Sequence, residues 1–257
     1  VWKSNHLIKK IKIMKKLLFF LVAAASFTAC KKNNVDAPVT PGNTNNLVKT
    51  WASGANISTY TYDTQGRVSK VTISDGSGYE YEYLPGIVNK KEYHAGHILY
   101  ATYKLELNAG GLKIRATANN SPVYEELFQY NADKTLAKQI GHYDNGAGGI
   151  STQVIDYFYS NGNCDSSRFT GNNGLWQTSI LRTYYTDKLN GLAKTSFGNN
   201  FESKDNKNLM KSEIYAAPDG TTGTPSNYTY EFDAQGRVIK STNIHGNEID
   251  IELITYN

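Results

Sequence analysis

The chain has 257 residues and a formal charge of +4, yet six of its lysines, Lys3, Lys9, Lys10, Lys12, Lys15 and Lys16, precede Cys30, where no acid occurs. From Cys30 onward 21 basic residues meet 23 acidic ones, which removes any compositional case for a nucleic-acid partner. Cys164 is the only cysteine besides Cys30, so no disulfide between two cysteines of the domain after the tether is available, and its fold has to stand on its core alone.

Residues 1–29 read as a leader. Met14-Lys15-Lys16 is followed by the apolar run Leu17 to Ala25 and then by Ser26-Phe27-Thr28-Ala29-Cys30. A short basic region, an apolar core too short to span a bilayer and small residues before the cut make a secretory signal peptide, with translation expected to start at Met14. Cys30 after Thr28-Ala29 resembles the lipobox of bacterial lipoproteins, which implies acylation of Cys30 and a membrane partner held through that lipid. The absence of Asp beside the cysteine leans towards the outer membrane, on its periplasmic side or at the cell surface. Residues 30–46, with two prolines and several Asn, read as a flexible tether.

Residues 47–257 read as one all-β domain. Ordered structure is expected to begin between Leu47 and Trp51, and no amphipathic helical run of useful length follows. The clearest unit is Tyr60-Thr61-Tyr62-Asp63-Thr64-Gln65-Gly66-Arg67-Val68-Ser69-Lys70, which returns as Tyr228-Thr229-Tyr230-Glu231-Phe232-Asp233-Ala234-Gln235-Gly236-Arg237-Val238-Ile239-Lys240. Asp63 can accept bonds from turn amides, Thr64 and Gln65 fit type I positions, and Gly66 fits the left-handed slot that opens a bulge. Each copy therefore reads as a β-hairpin with a three-residue loop.

Aligned on the aliphatic exit residue, eight such tips recur: Tyr62 to Val68, Tyr83 to Val88, Leu107 to Leu112, Tyr130 to Leu136, Phe158 to Cys164, Tyr185 to Leu192, Ser203 to Leu209 and Phe232 to Val238. Two strands per tip predict an antiparallel up-and-down meander of about sixteen short strands. Twisted open sheets rarely exceed ~10 strands, so this one must curl strongly or close into a barrel. The interruptions Gly141 to Ile150, Ser196 to Asn208 and Ala216 to Asn227 are the candidate functional loops.

If the bulge pairs Asp63 with Arg67, Tyr62 stands opposite Val68 and Tyr60 opposite Lys70; the same arithmetic sets Tyr230 against Lys240 and Phe128 against Lys138. A ring beside a lysine would then recur one rung in from the tip. Tyr79-Glu80-Tyr81-Glu82-Tyr83 shows the same banding. Two readings stay open: cross-strand filler in a sheet with a thin core, or a ring-lined surface for a glycan, a lipid or a partner protein. On the second, Tyr60, Tyr62, Tyr81, Tyr83, Tyr228 and Tyr230 are the ligand-binding residues.

Cys164 sits at an aliphatic exit position and reads as a small buried residue rather than a nucleophile. His94 and His97 could chelate a metal across a turn, but no third ligand has a recognisable spacing, so no metal or other cofactor is expected. Glu80, Glu82, Glu125, Glu126, Asp156 and Glu231 could supply carboxylate pairs, although alternation places most of them on the polar face. No nucleophile elbow, phosphate loop or Ser/His/Asp order is recognisable, and no catalytic residue is assigned.

The pattern Tyr-x-Tyr-Asp-x-x-Gly-Arg-Val resembles the Rhs/YD repeat, which implies hairpin units that build large sheets or shells in secreted proteins. With its lipobox, tether and degenerate copies, the chain is similar to a family of extracytoplasmic lipoproteins of unknown function with a porin-like fold, over residues 47–257. No functional residues come with that resemblance. The expected function is a lipid-anchored extracytoplasmic binding or structural protein. The alternatives are a hydrolase with carboxylates on its long loops and an integral outer-membrane barrel. A mean hydropathy of −0.50 weighs against the last, for which only Glu248 to Tyr256 has suitable alternation.

Overall fold

The computed structural model describes residues 46–257 with the exception of 173; the leader, Cys30 and the tether up to residue 45 lie outside the described residues. Within them sixteen strands follow one another: β1 (Val48–Ser53), β2 (Asn56–Tyr62), β3 (Val68–Ile73), β4 (Gly78–Leu84), β5 (Ile87–His94), β6 (Ile98–Leu107), β7 (Lys113–Ala118), β8 (Ser121–Tyr130), β9 (Leu136–Asp144), β10 (Ile150–Ser160), β11 (Asn163–Thr170), β12 (Trp176–Leu189), β13 (Asn208–Ala216), β14 (Ser226–Phe232), β15 (Val238–His245) and β16 (Glu248–Tyr256). Each pairs antiparallel with the next, and β1 returns to β16 from Val48↔Tyr256 to Ser53↔Glu252, so the meander closes into a barrel. Closure is the solution that leaves no unpaired edge on so long a sheet.

The hairpin chemistry follows the expected turn. Asp63 N donates to Arg67 O at 2.8 Å, Asp63 Oδ1 accepts from the amides of Gln65 and Arg67 at 2.9 Å each, and Gly66 has φ 74°. The Arg67 guanidinium returns to Asp63 Oδ2 at 2.7 Å. Asp233 to Arg237 repeats these bonds, with Gly236 at φ 77°.

One residue further along, the expected rungs are corrected. Tyr62 does face Val68, but the next pair is Thr61↔Lys70, which leaves Ser69 as an extra bulged residue and sets Tyr60 against Val71. The same slip pairs Glu231 with Lys240 and Tyr230 with Ser241, and pairs Gln129 with Lys138 and Phe128 with Gln139. A second bulge just past the tip turns every later side chain to the opposite face, so Lys70, Lys138 and Lys240 point out of the barrel.

The count of units also changes. Tyr185 to Leu192 and Ser203 to Leu209 are not two hairpins but the two ends of the single β12–β13 connection; Leu192 and Leu209 both pack into one apolar cluster with Val48, Val238 and Ile254. Seven hairpin tips remain, and β1 and β16 supply the other two strands. At Phe158 to Cys164 the phase differs too: Tyr159, not Phe158, pairs with Cys164 across an Asn161-Gly162 turn, and Phe158 faces outward.

The β12–β13 connection, which contains a short 3₁₀ turn at Lys194–Phe197, folds across the barrel end where these tips lie. Its backbone is tied to four of them: Val68 N to Gly198 O at 3.2 Å, Lys113 N to Phe201 O at 2.9 Å, Lys204 N to Lys134 O at 2.9 Å and Lys207 N to Gly162 O at 2.9 Å. Phe197 lies 5.3 Å from Trp51 and 5.4 Å from Tyr60, and Phe201 lies 6.2 Å from Tyr81 and 6.3 Å from Tyr83, measured between ring centroids. Each phenylalanine thus fills one of two separate apolar clusters, the second built on Val88, Leu105, Ala116 and Phe128. The connection is a plug.

Candidate functional site

The repeated tyrosine at each tip has a wall role that follows from the bulges. Val68 lies two residues outside the β3–β4 ladder, which begins at Lys70↔Glu80, and the Tyr83 hydroxyl donates to the Val68 carbonyl at 2.8 Å. The identical offset recurs around the barrel. Tyr62 donates to Val48 O, Tyr130 to Lys113 O, Tyr184 to Cys164 O, Tyr230 to Met210 O and Tyr256 to Val238 O. Each acceptor sits two residues outside its ladder, and each donor three residues beyond the partner strand's first paired residue. A buried carbonyl left without a ladder partner costs free energy, and an inward phenol of the right length replaces the missing donor.

Of the six tyrosines expected to meet a ligand, Tyr62, Tyr83 and Tyr230 are therefore latches on the backbone. Tyr60 packs on Phe197 of the plug, and the Tyr228 hydroxyl donates to Glu213 at 3.0 Å. Tyr81 alone of the six lines the hollow described next. All six face the barrel interior, where burial raises their hydroxyls above the ordinary phenol range.

The plug lines a chamber whose two parts share wall residues. One, of about 200 Å³, is lined by Tyr81, Lys90, Tyr103, Tyr124 and Phe201; the other, of about 380 Å³, by Gln139, Tyr157, Tyr159, Cys164, Arg182 and Lys194. Lys113, Glu126 and Glu202 belong to both. The charges are matched rather than loose. Lys113 pairs with Glu202 of the plug at 2.9 Å, and Arg182 reaches Glu213 at 3.5 Å and Ser167 Oγ at 3.2 Å. Glu126 accepts from the Tyr143 hydroxyl at 3.0 Å and from the Gln139 amide at 3.2 Å. The Lys90 ammonium lies 4.0 Å from the Tyr79 ring centre and 5.2 Å from that of Tyr103, and burial lowers its pKa against the opposing pull of Glu92.

Burial, reinforced by the Glu92 carboxylate, pushes the Tyr103 hydroxyl up to about 12, and burial with Cys164 nearby does the same for Tyr157. At neutral pH the phenols lining the chamber are un-ionised. They can stack and exchange hydrogen bonds, but they supply no phenolate base.

The other sequence candidates are placed as follows. Glu80, Glu125, Asp156 and Glu231 face outward on Lys70, Arg115, Lys138 and Lys240, and Glu82 accepts from Asn89; Glu126 is the one of the six carboxylates that enters the chamber. His94 stacks on Tyr100 at 4.0 Å and His97 on Tyr93 at 4.1 Å, so the two imidazoles rest on different rings. Cys164 is buried, its thiol donating to Ser166 O at 3.3 Å, and burial raises its pKa against the pull of Arg182. Sequence reasoning missed Lys90, Lys113, Gln139, Arg182 and Glu202. Strand parity with the buried Val88 would have turned Lys90 inward; nothing in the plug segment announces where Glu202 goes.

No family model matches the chain, and neither does any curated protein, so the likeness to Rhs/YD repeats rests on the hairpin pattern alone. Among solved structures, the chain is similar to a porin-like protein from Bacteroides uniformis ATCC 8492, with a TM-score of 0.58 and 16% identity over 86% of this chain and 99% of that one. It is likewise similar to a porin-like protein from Bacteroides vulgatus ATCC 8482, with a TM-score of 0.58 and 11% identity over 82% of this chain and 99% of that one. At these identities the likeness concerns the fold: the chain shares the architecture of porin-like barrels.

Proposed function

We propose that the protein is a lipid-anchored, extracytoplasmic binding protein that takes a polyhydroxylated, sugar-like ligand into its plugged barrel. The observation behind this reading is the chamber itself, which is lined on one side by Phe201 and Glu202 of the plug and offers neutral phenols beside charged groups. Tyrosine faces suit the apolar faces of sugar rings, and fixed carboxylate, guanidinium and amide groups suit hydroxyls. The volume falls in the ordinary range of small-molecule sites. Tyr81, Tyr103, Tyr124 and Tyr157 are the stacking candidates, with Glu126, Gln139 and Arg182 as polar partners. A hydrolase has less support: of the carboxylates lining the chamber, Glu202 is held in its ion pair with Lys113, Asp205 accepts the Lys194 amide at 2.8 Å, and Glu126 accepts from Tyr143 and Gln139.

Isothermal calorimetry of the parent against panels of glycans and of lipids tests the proposal, with Tyr124→Ala and Tyr83→Phe alongside. A glycan bound by the parent and by Tyr83→Phe but not by Tyr124→Ala is the expected result. The absence of any glycan binder for the parent overturns it. Mass measurement of the membrane-extracted protein reads the acylation of Cys30 separately.

A further inference from the structure

The outer wall of the barrel is not uniform. From β3 to β10 it is crossed by ion pairs: Lys70 with Glu80 at 3.0 Å, Lys104 with Glu106 at 2.9 Å, Arg115 with Glu125 at 2.7 Å and with Glu106 at 3.8 Å, and Lys138 with Asp156 at 3.1 Å. A lipid belt around the whole barrel would have to dehydrate every one of them. The seam is different. Along β16 the outward residues are Ile249, Ile251 and Leu253, which are 63%, 46% and 51% exposed. Ile249 stands beside Ile244 of β15; Leu253 stands beside Ala52 of β1, and Ala52 beside Ile57 of β2. Ile244 and Ile57 are 39% and 47% exposed. These side chains form an apolar face over four strands whose β14-side edge is polar: Thr242 stands beside Ile251, and Lys240, paired outward with Glu231 at 2.7 Å, stands beside Leu253.

Single exposed apolar residues need no explanation, but a contiguous face does. The chain outside the described residues indicates its occupant. It enters at β1, one of the face's own strands, and carries Cys30, the residue expected to bear the lipid. Seventeen residues separate Cys30 from Val48. Fully extended they span roughly 55–60 Å, about twice the length of the nine-residue β16. A membrane anchor at Cys30 therefore reaches far enough to bring either end of the seam to the same bilayer.

We propose that the β15–β16–β1–β2 face lies on the acyl-chain boundary of a lipid bilayer, so that the barrel rests on its side with its ion-paired wall in water. The proposal takes the membrane tether from the preceding section and is independent of what the chamber binds. The test uses the full chain reconstituted on phosphatidylethanolamine/phosphatidylglycerol vesicles that contain brominated acyl chains. Tryptophan is placed at the seam (Ile251→Trp, with Ile249→Trp as a second reporter) or on the ion-paired wall (Glu82→Trp), and the parent's emission is subtracted.

The expected result is a blue shift and bromolipid quenching at the two seam positions and at neither extent on the Glu82 wall. Equal, water-like emission at all three overturns the proposal, even where mass measurement finds Cys30 acylated and the tether reading stands. A concentration-dependent blue shift at the seam without vesicles, accompanied by dimers in sedimentation, also overturns it and assigns the face to a second copy of the chain.

Discussion

At the scale of the residue, the abundance of tyrosine is first a consequence of the bulges. Each bulge takes its exit residue out of register, and the latch hydroxyl recovers the carbonyl that the ladder loses. Val68 is 1% exposed, so its carbonyl has no access to bulk water once the Tyr83 hydroxyl is removed. Tyr83→Phe deletes only that donor and is expected to destabilise by about 1–3 kcal/mol, the range for a buried acceptor left unsatisfied. Denaturant titration should show a lower midpoint at unchanged slope. A midpoint equal to the parent's would mean that water or another donor replaces the phenol.

The turn carboxylates set the pH dependence. Around Asp63 burial favours the neutral acid but is outweighed by bonds from the Arg67 amide and guanidinium and from the Gln65 amide, which hold its pKa below the ordinary carboxylate value. Asp233, in the same turn geometry, is also lowered. A folded-state pKa below the unfolded one gives stability that is complete above the unfolded value and disappears as pH falls through the folded value. The thermal midpoint should therefore drop as pH falls below about 4, and Asp63→Asn should lower the neutral-pH midpoint while making that acid limb shallower. Asp205 and Glu252 are shifted the other way by burial, so their contributions fade as pH rises through their raised values and do not produce the acid loss.

At the scale of the element, the plug is what distinguishes this barrel from an empty tube. Its position depends on close contacts that only particular residues allow. Gly198 has φ 71°, and a Cβ there would stand 2.5 Å from the Val68 nitrogen, the atom it must approach to accept that amide's bond. Gly198→Ala is strained twice, by its backbone angle and by that contact. Hydrogen exchange should show loss of protection at the Val68 amide with the β6–β9 amides unchanged. Phe201→Ala should cost about 3–5 kcal/mol, as expected for a buried ring, and enlarge the chamber; a cost below about 1 kcal/mol, within the range of surface changes, would show that Phe201 does not hold the plug.

The plug is also where the sequence was least legible. Asp63, Gly66 and Arg67 announce their hairpin because turn chemistry is local, and alternation carries enough information to give an all-β meander of sixteen strands. A bulge adds one residue without changing composition, so the Tyr60/Lys70 rung could be inferred with the wrong partner while Tyr62/Val68 was right. The segment Ser196 to Asn208 stood out as a long interruption, but Phe197 and Phe201 have no period to say what they pack against. Their partners, Trp51, Tyr60, Tyr81 and Tyr83, lie more than a hundred residues away, and only closure of the sheet brings them together.

At the scale of the molecule, that closure joins the two most distant strands in the chain. Trp51 pairs with Ile254 across the seam, Ile254 is 3% exposed, and both pack with Val48, Leu209 and Val238 around the plug's Phe197. The other cluster, around Val88, Leu105, Ala116 and Phe128, is built from hairpins that are neighbours in sequence. Seam pairing has a large loop-closure cost and is formed by strands from opposite ends of the chain, whereas β4 to β9 assemble through short turns. The seam is therefore the natural place for the barrel to open first. Ile254→Ala, which should remove about 2–5 kcal/mol of packing, is expected to accelerate amide exchange in β1 and β16 while β5 to β9 keep most of their protection. Uniform loss of protection in all sixteen strands would show instead that the barrel opens as one unit and that the plug couples the two clusters completely.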